Sequence, residues 1–311
     1  MLFMKTALVN LLSADKWEEF YNDRIDSCSL SDKQAGQLRV FIDNKGYEQI
    51  ACGILDGNYE FSIPRLTYIS KGGSNKKRIV YRFADDELWI LKHIAFLMHR
   101  YDERFSDVCY SFRRGKNAKT AVRDILSVKG INGKYCLKAD IHDYFNSIPR
   151  DRLCYKLSRF IDDDDILLQF LTDLLSTDMA VDPDTGSIIR GNRGAMAGTP
   201  LSPFLANLYM LDLDRHFAAK NIVFLRYADD FLVFADDRDM IIGLRAELFE
   251  MIHDEGLIIN EEKSSIIEPG KAWEFLGIRY DNGVIDISDN TKRKIKAKIK
   301  RKAHALYRWR L

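Results

Sequence analysis

An α+β fold is what the sequence predicts, and three observations predict it. Short apolar runs rich in β-branched and aromatic residues read as strand hairpins within 59–83 and 223–236. Stretches with apolar residues every three or four positions lie before and between them and read as helices. The chain has 311 residues, 46% of them hydrophobic, which allows a large core in two or more subdomains.

Residues 5–55 are expected to be mostly helical, through Leu8, Leu11, Leu12, Trp17 and Phe20 and then Leu38, Phe41 and Ile42. Tyr59–Pro64, Leu66–Ile69 and Ile79–Phe83 read as strands around a basic, glycine-rich turn at 71–78. A long helix follows from Asp85, in which His93 and His99 pack or face solvent. Another covers Ala118–Val128, and a buried strand covers Tyr135–Ile141. Asp162–Asp165 reads as an acidic cluster at the start of a helix. Two short strands flank the Asp182–Gly186 turn. A single helix is expected from Ser202, as N-cap, to Asp214, with Pro203 at its first position. Asp239–Glu255 reads as a helix, Gly256–Ser264 as a strand entering a loop, Trp273–Tyr280 as one strand, and Asp289 onward as a basic helix.

Composition excludes several classes. The five cysteines are scattered, with no C-x-x-C pair, which argues against a zinc site or a disulfide framework and fits a reducing cytoplasm. Lys5 and Asn10 interrupt the apolar start, so no signal peptide is expected. No run of about 18 apolar residues predicts a membrane span. Net charge is +1, but residues 291–311 hold ten Lys/Arg and no Asp/Glu, leaving an acidic body with a basic end.

Several segments carry possible chemistry. Tyr227-Ala228-Asp229-Asp230 puts two carboxylates between apolar strands; it is either a solvated turn or a site for a hard cation. Asp140 lies near a strand's C-terminal end, where open α/β sheets place their chemistry. The 71–78 turn is either solvated or a grip on phosphates. Cys109–Thr120 interleaves Tyr110 and Phe112 with Arg113, Arg114, Lys116 and Lys119, a composition suited to stacking and phosphate contact. The small-residue loop at 193–201 feeds a helix start, where N–H groups are available to an anion or a nucleic-acid backbone.

The order of these segments is more specific than any one of them. Asp140 followed by Phe145, a glycine loop into Ser-Pro-x-Leu-Ala-Asn, Tyr-Ala-Asp-Asp, Gly-Leu-x-Ile-Asn-x-x-Lys and Phe-Leu-Gly closely resembles the motif series of reverse transcriptases. The likeness runs from about Phe61 to Tyr280 and is closest to the bacterial group II intron-like, retron and phage-defence branches. It implies a right-hand polymerase with helical fingers, an antiparallel palm sheet flanked by helices, and a partial helical thumb. On that reading 1–134 is an N-terminal extension with fingers, 135–288 palm with fingers elements interleaved at about 150–190, and 289–311 the start of the thumb.

The resemblance also implies roles. Asp140, Asp229 and Asp230 would hold two Mg²⁺ ions, or Mn²⁺, with the Ile141 carbonyl; Asp229 would be the ligand shared by both, and Asp230 nearer the primer and more tolerant of change. Phe145 would screen the sugar 2′ position, unless it is a plain core phenylalanine. Lys71 and Arg78 would contact the incoming triphosphate, and Lys263 would protonate the leaving pyrophosphate. Tyr110, Phe112, Arg113 and Arg114 would approach template. Phe275, Leu276 and Gly277 would grip primer, and Lys292 and Lys296 would lie along the duplex, unless that helix is simply solvated.

Two departures stand out. Met196-Ala197-Gly198 occupies the place of the family's Pro-Gln-Gly, and Ala197 cannot make a glutamine's hydrogen bonds to the nucleotide. The thumb is expected to be partial, completed by a partner protein or by further chain, and no endonuclease- or maturase-like extension is expected. The expected activity is RNA-directed DNA synthesis from a DNA or RNA primer with dNTPs, on a cognate structured RNA, in a bacterial retron-like, phage-defence or mobile-element setting. Template-independent or self-primed DNA synthesis and a catalytically silent RNA-binding scaffold are the alternatives. Phe145 disfavours an RNA polymerase.

Overall fold

The computed structural model describes residues 6–70, 77–191 and 194–310. After a 3₁₀ turn at Ala7–Leu12 the elements are α1 (Ala14–Asp26), α2 (Asp32–Asp43), α3 (Glu48–Leu55), β1 (Arg65–Ser70), β2 (Lys77–Arg82), α4 (Asp85–Leu97), α5 (Ala118–Leu126) and β3 (Tyr135–Asp140). Next come α6 (Tyr144–Ser147), α7 (Arg150–Phe160), α8 (Asp165–Ser176), β4 (Met179–Val181), β5 (Ile188–Arg190), α9 (Ser202–Tyr209) and α10 (Leu211–Ala218). The chain ends with β6 (Val223–Tyr227), β7 (Asp230–Ala235), α11 (Arg238–Asp254), β8 (Ser265–Ile267), β9 (Trp273–Phe275), β10 (Ile278–Asp281), β11 (Val284–Ile287) and α12 (Asp289–Arg310).

These elements gather into two compact units, neither contiguous in sequence. One comprises the described residues of Met1–Lys71, Asn75–Ser106 and Asp143–Asp212; the other comprises Asp107–His142 and Leu213–Leu311.

The first unit holds a four-stranded sheet in the order β2-β1-β4-β5, with β1 antiparallel to β2 and parallel to β4. Its helical core is aromatic: Trp17, Phe20, Tyr47 and His93 are all buried. The His93 ring lies 4.0 Å from that of Trp17 and 5.2 Å from that of Phe20. The acidic cluster caps its helix as expected, since Asp164 Oδ1 accepts from the Leu167 amide at the start of α8. Asp164 also accepts from Ala7, and Arg104 pairs with Asp162 and Asp163.

The second unit is built on the sheet β6-β7-β3-β8 and a smaller sheet β11-β10-β9. Leu225, Leu232, Phe234 and Cys136 from the first pack with Trp273, Phe275 and Tyr280 from the second and with Ala121 and Ile125 of α5.

Five expectations need correction. Tyr59–Pro64 joins no ladder; the Ser62 amide and the Tyr59 hydroxyl donate to buried Glu87 instead of to a strand. Ser202 is the first residue of α9, not its N-cap, and its hydroxyl donates to the Thr199 carbonyl. The helix expected over 202–214 breaks at Met210 into α9 and α10. Gly256–Ser264 forms a single bridge, Ile259 to Ile141, because its other groups bind the end of β3 directly. Trp273–Tyr280 is a hairpin: Leu276 (φ 49°) and Gly277 (φ 81°) turn the chain so that Ile278 pairs back with Phe275.

Candidate active site

β3 and β7 run antiparallel in a register that sets Asp140 directly opposite Asp230. β6 enters the same turn, with Tyr227 opposite Asp230. Directly paired residues of adjacent strands share a face, so Asp140 and Asp230 project the same way. The turn is tied to the β3 end, because the Ile141 amide donates to the Asp229 carbonyl at 3.2 Å. Tertiary structure therefore brings Asp140, Ile141, Asp229 and Asp230 together, although some 90 residues separate the first from the last.

Asp140 is buried and tightly held. The Asn260 amide donates to its carbonyl at 2.7 Å, and Asn260 Nδ2 donates to its Oδ1 at 3.0 Å. The Asp140 amide donates to Ser264 Oγ at 3.3 Å. Lys263 Nζ lies 2.8 Å from both carboxylate oxygens, and its own side chain is 59% exposed. Asn260 and Ser264 were not among the sequence candidates; Asn260 stands in the quoted Gly-Leu-x-Ile-Asn-x-x-Lys motif, where the signal was present.

Burial is the largest cause pushing the Asp230 carboxyl up, to about 6, followed by the charges of Asp229 and Asp140; Lys138 and Lys263 oppose this. The site carries more negative charge than its lysines relieve. That excess, on oxygen donors alone, fits a hard divalent cation. Among the described residues, no three His, Cys, Asp or Glu side chains close around one point as a finished metal cage. In this structure Asp140 is turned to Lys263.

The other nucleic-acid candidates of this unit divide by environment. Phe112 (φ 56°) and Arg114 are exposed. Tyr110 is buried and donates its hydroxyl to Asp124, and Arg113 donates to the Cys109 carbonyl, so both take part in the unit's own packing. Phe275 is a core residue at 1% exposure. Leu276 and Gly277 form the half-buried turn beside it, where a Cβ on Gly277 would meet Thr291 Oγ1 at 2.7 Å. Lys292 pairs with Asp286, while Lys296 and the rest of 293–309 stand exposed.

The first unit holds the remaining candidates. Phe145 is half-buried beside Tyr144, and its carbonyl accepts from the Ala195 amide at 2.8 Å. The approach is close enough to demand glycine at 194, since a Cβ there would meet that carbonyl at 2.2 Å and the backbone is left-handed. Ala197 is buried, and its carbonyl accepts from the Tyr81 amide of β2 at 2.8 Å. Gly198 (φ 91°) packs against Val80. Arg78 belongs to β2, opposite Ile69. Lys71 lies outside the described residues.

Residues 69–280, about two thirds of the chain, match the family described as reverse transcriptase (RNA-dependent DNA polymerase). The retron Ec86 reverse transcriptase of Escherichia coli is 32% identical over 106 residues, covering 33% of this chain and 33% of that protein. The retron Mx65 reverse transcriptase of Myxococcus xanthus is 29% identical over 119 residues, covering 37% of this chain and 28% of that protein. The chain thus spans about a third of the length of these curated relatives. Apo telomerase from Candida tropicalis superposes with a TM-score of 0.56 at 12% identity, over 74% of this chain and 48% of that one. Telomerase from Candida albicans, in complex with a TWJ fragment of telomeric RNA, gives 0.56 at 14% identity, over 74% and 46%. These two likenesses establish the α+β fold alone. The family match runs from β1 to β10 through Asp140, the Tyr-Ala-Asp-Asp turn and Lys263, and the chain belongs to the reverse transcriptase family.

Proposed function

We propose that the chain extends a primer with dNTPs on an RNA template. The observation that carries this reading is the gathering of Asp140, Asp229 and Asp230 at one end of the β3–β7 pair, with the Asp230 carboxyl raised first by burial and then by the charges of Asp229 and Asp140. Two divalent ions, Mg²⁺ or Mn²⁺, held by these carboxylates and the Ile141 carbonyl, would activate the attacking hydroxyl and neutralise the leaving group. The primer 3′-hydroxyl gives up its proton to solvent water, and its oxygen bonds to the α-phosphorus as the bond to the bridging oxygen of the leaving pyrophosphate breaks. Lys263, whose Nζ lies 2.8 Å from Asp140 Oδ1, serves as the proton donor to the pyrophosphate. Asn260 and Ser264 hold Asp140 in place. Phe145 excludes a 2′-hydroxyl, and Phe112, Arg114 and the cations of α12 bind nucleic acid backbone and bases.

The setting we favour is a bacterial retron-like or phage-defence system, in which the chain acts on its own structured RNA. The Ec86 and Mx65 relatives support the retron-like part of this reading. Sequencing the RNA and attached DNA recovered with the chain from its host tests it.

The activity is tested with purified chain, a primer annealed to RNA, Mg²⁺ and dNTPs. Extension to the template end is expected, lost by about 1,000-fold in Asp229→Ala with primer–template binding retained. Equal product without RNA would replace this reading with template-independent synthesis. RNA binding with no product at all would replace it with a silent scaffold.

A further inference from the structure

Ala228 is the one residue between Tyr227 and the carboxylate pair, and its backbone is left-handed (φ 56°). An L-residue with a Cβ disfavours that conformation, so something must hold it there. Both of its backbone polar groups are taken by buried side chains. Its amide donates to Ser111 Oγ at 2.9 Å, and its carbonyl accepts from Arg226 Nη1 at 3.0 Å. Ser111, Arg226 and Asp214 are each fully buried.

The two clamping groups are themselves fixed. Arg226 Nε donates to Asp214 Oδ1 at 2.7 Å and Nη2 to Oδ2 at 2.5 Å, a two-point pairing that sets the plane of the guanidinium. Nη2 also donates to Cys109 Sγ at 3.2 Å. Ser111 is placed by a short parallel pairing along β6: the Arg226 amide donates to the Val108 carbonyl at 2.8 Å, and the Tyr110 amide donates to the Arg226 carbonyl at 2.9 Å. A buried ion pair is a poor device for stability, since desolvation offsets most of its attraction, but it is a good one for fixing a geometry.

We propose that Ser111 and Arg226, the latter oriented by Asp214, are positioning residues that aim the Asp229–Asp230 pair through the backbone of Ala228. The proposal rests on the reading of that pair as cation ligands. Neither residue touches substrate. Losing either hydrogen bond frees one side of a strained turn, so the carboxylates lose their alignment with Asp140 before the sheet loses its core.

The test uses the full chain with Ser111→Ala, which removes one oxygen, and Arg226→Lys, which keeps the charge but cannot bind Asp214 at two points and Ala228 together. Five quantities are measured: Mn²⁺ affinity of the metal-free protein by calorimetry, Tm, primer–template affinity, and kcat and KM for dNTP. Mn²⁺ affinity and kcat are expected to fall about tenfold or more in both variants, with dNTP KM and primer–template affinity unchanged. Wild-type Mn²⁺ affinity and kcat in Ser111→Ala would overturn the proposal, whatever its Tm. Ser111→Ala decides the matter alone if Arg226→Lys does not fold. A wild-type chain that neither binds Mn²⁺ nor extends primers would instead overturn the underlying reading of Asp229 and Asp230.

Discussion

Lys263 Nζ sits 2.8 Å from both oxygens of the Asp140 carboxylate, so one ammonium neutralises the residue assigned to hold a cation. Lysine and a divalent ion compete for the same oxygens. Lys263→Met is therefore expected to bind Mn²⁺ more tightly than the wild type while extending primers about 100-fold more slowly, having lost a proton donor. Mn²⁺ titration and single-turnover extension measure the two effects. An unchanged extension rate would remove Lys263 from the chemistry.

Asp230 is ionised against its surroundings. Its carboxyl is raised to about 6 first by burial and then by Asp229 and Asp140. The folded metal-free protein thus binds a proton more tightly than the unfolded chain does. Stability falls as pH rises from about 4, and the full penalty, about 3 kcal/mol, is present above pH 6. Asp230→Asn removes that penalty. In chelator the variant should be the more stable protein at pH 8, with the gap closing toward pH 4, and Mn²⁺ should stabilise the wild type more than the variant. Denaturant melts at the two pH values check this. A variant no more stable than wild type at pH 8 would show that burial and the neighbouring carboxylates do not raise Asp230.

His93 gives a pH dependence of the opposite sign. Burial among Trp17, Phe20 and Phe96 pulls its imidazole down to about 3. The unfolded chain takes up a proton near 6.5 that the folded chain refuses, so stability is whole above that value and is lost as pH falls. At pH 5 the loss is about 2 kcal/mol relative to pH 7. His93→Phe keeps a ring in the cluster and should flatten this part of the profile. Parallel acid limbs for the two proteins between pH 7 and 5 would contradict the assignment.

How much of this was legible depends on how far apart in sequence the partners lie. Asp140, Asp229, Asp230 and Lys263 were visible because each sits inside a local motif and the motifs come in a fixed order. The strand Tyr135–Asp140 and the hairpin flanking Ala228 were visible from their apolar runs. The hairpin at Trp273–Asp281 was not, because Leu276 takes a left-handed turn conformation that its residue type does not advertise. Nor were the roles of Ser111, Arg226 and Asp214. Ser111 and Ala228 are 117 positions apart, and only the pairing of Val108–Tyr110 along β6 makes them neighbours. Tyr110 and Arg113 look like nucleic-acid contacts in composition, yet their hydrogen bonds to Asp124 and Cys109 are visible only in three dimensions.

Phe145 is half-buried, its ring meeting that of Tyr144 edge to face. A purely structural phenylalanine would be expected to bury the whole ring, since the apolar area left in water contributes nothing to stability. Its backbone is strapped to the 194–198 loop through Ala195, so the ring's base is fixed. A fixed, partly exposed ring is suited to exclude a sugar 2′-hydroxyl by contact. Phe145→Ala should therefore raise ribonucleotide incorporation relative to deoxyribonucleotide by about tenfold or more, on the scale of 1–3 kcal/mol for a change in pocket shape. Extension rates with each nucleotide on the same primed RNA measure the ratio. An unchanged ratio in a folded, active variant would return Phe145 to a packing role.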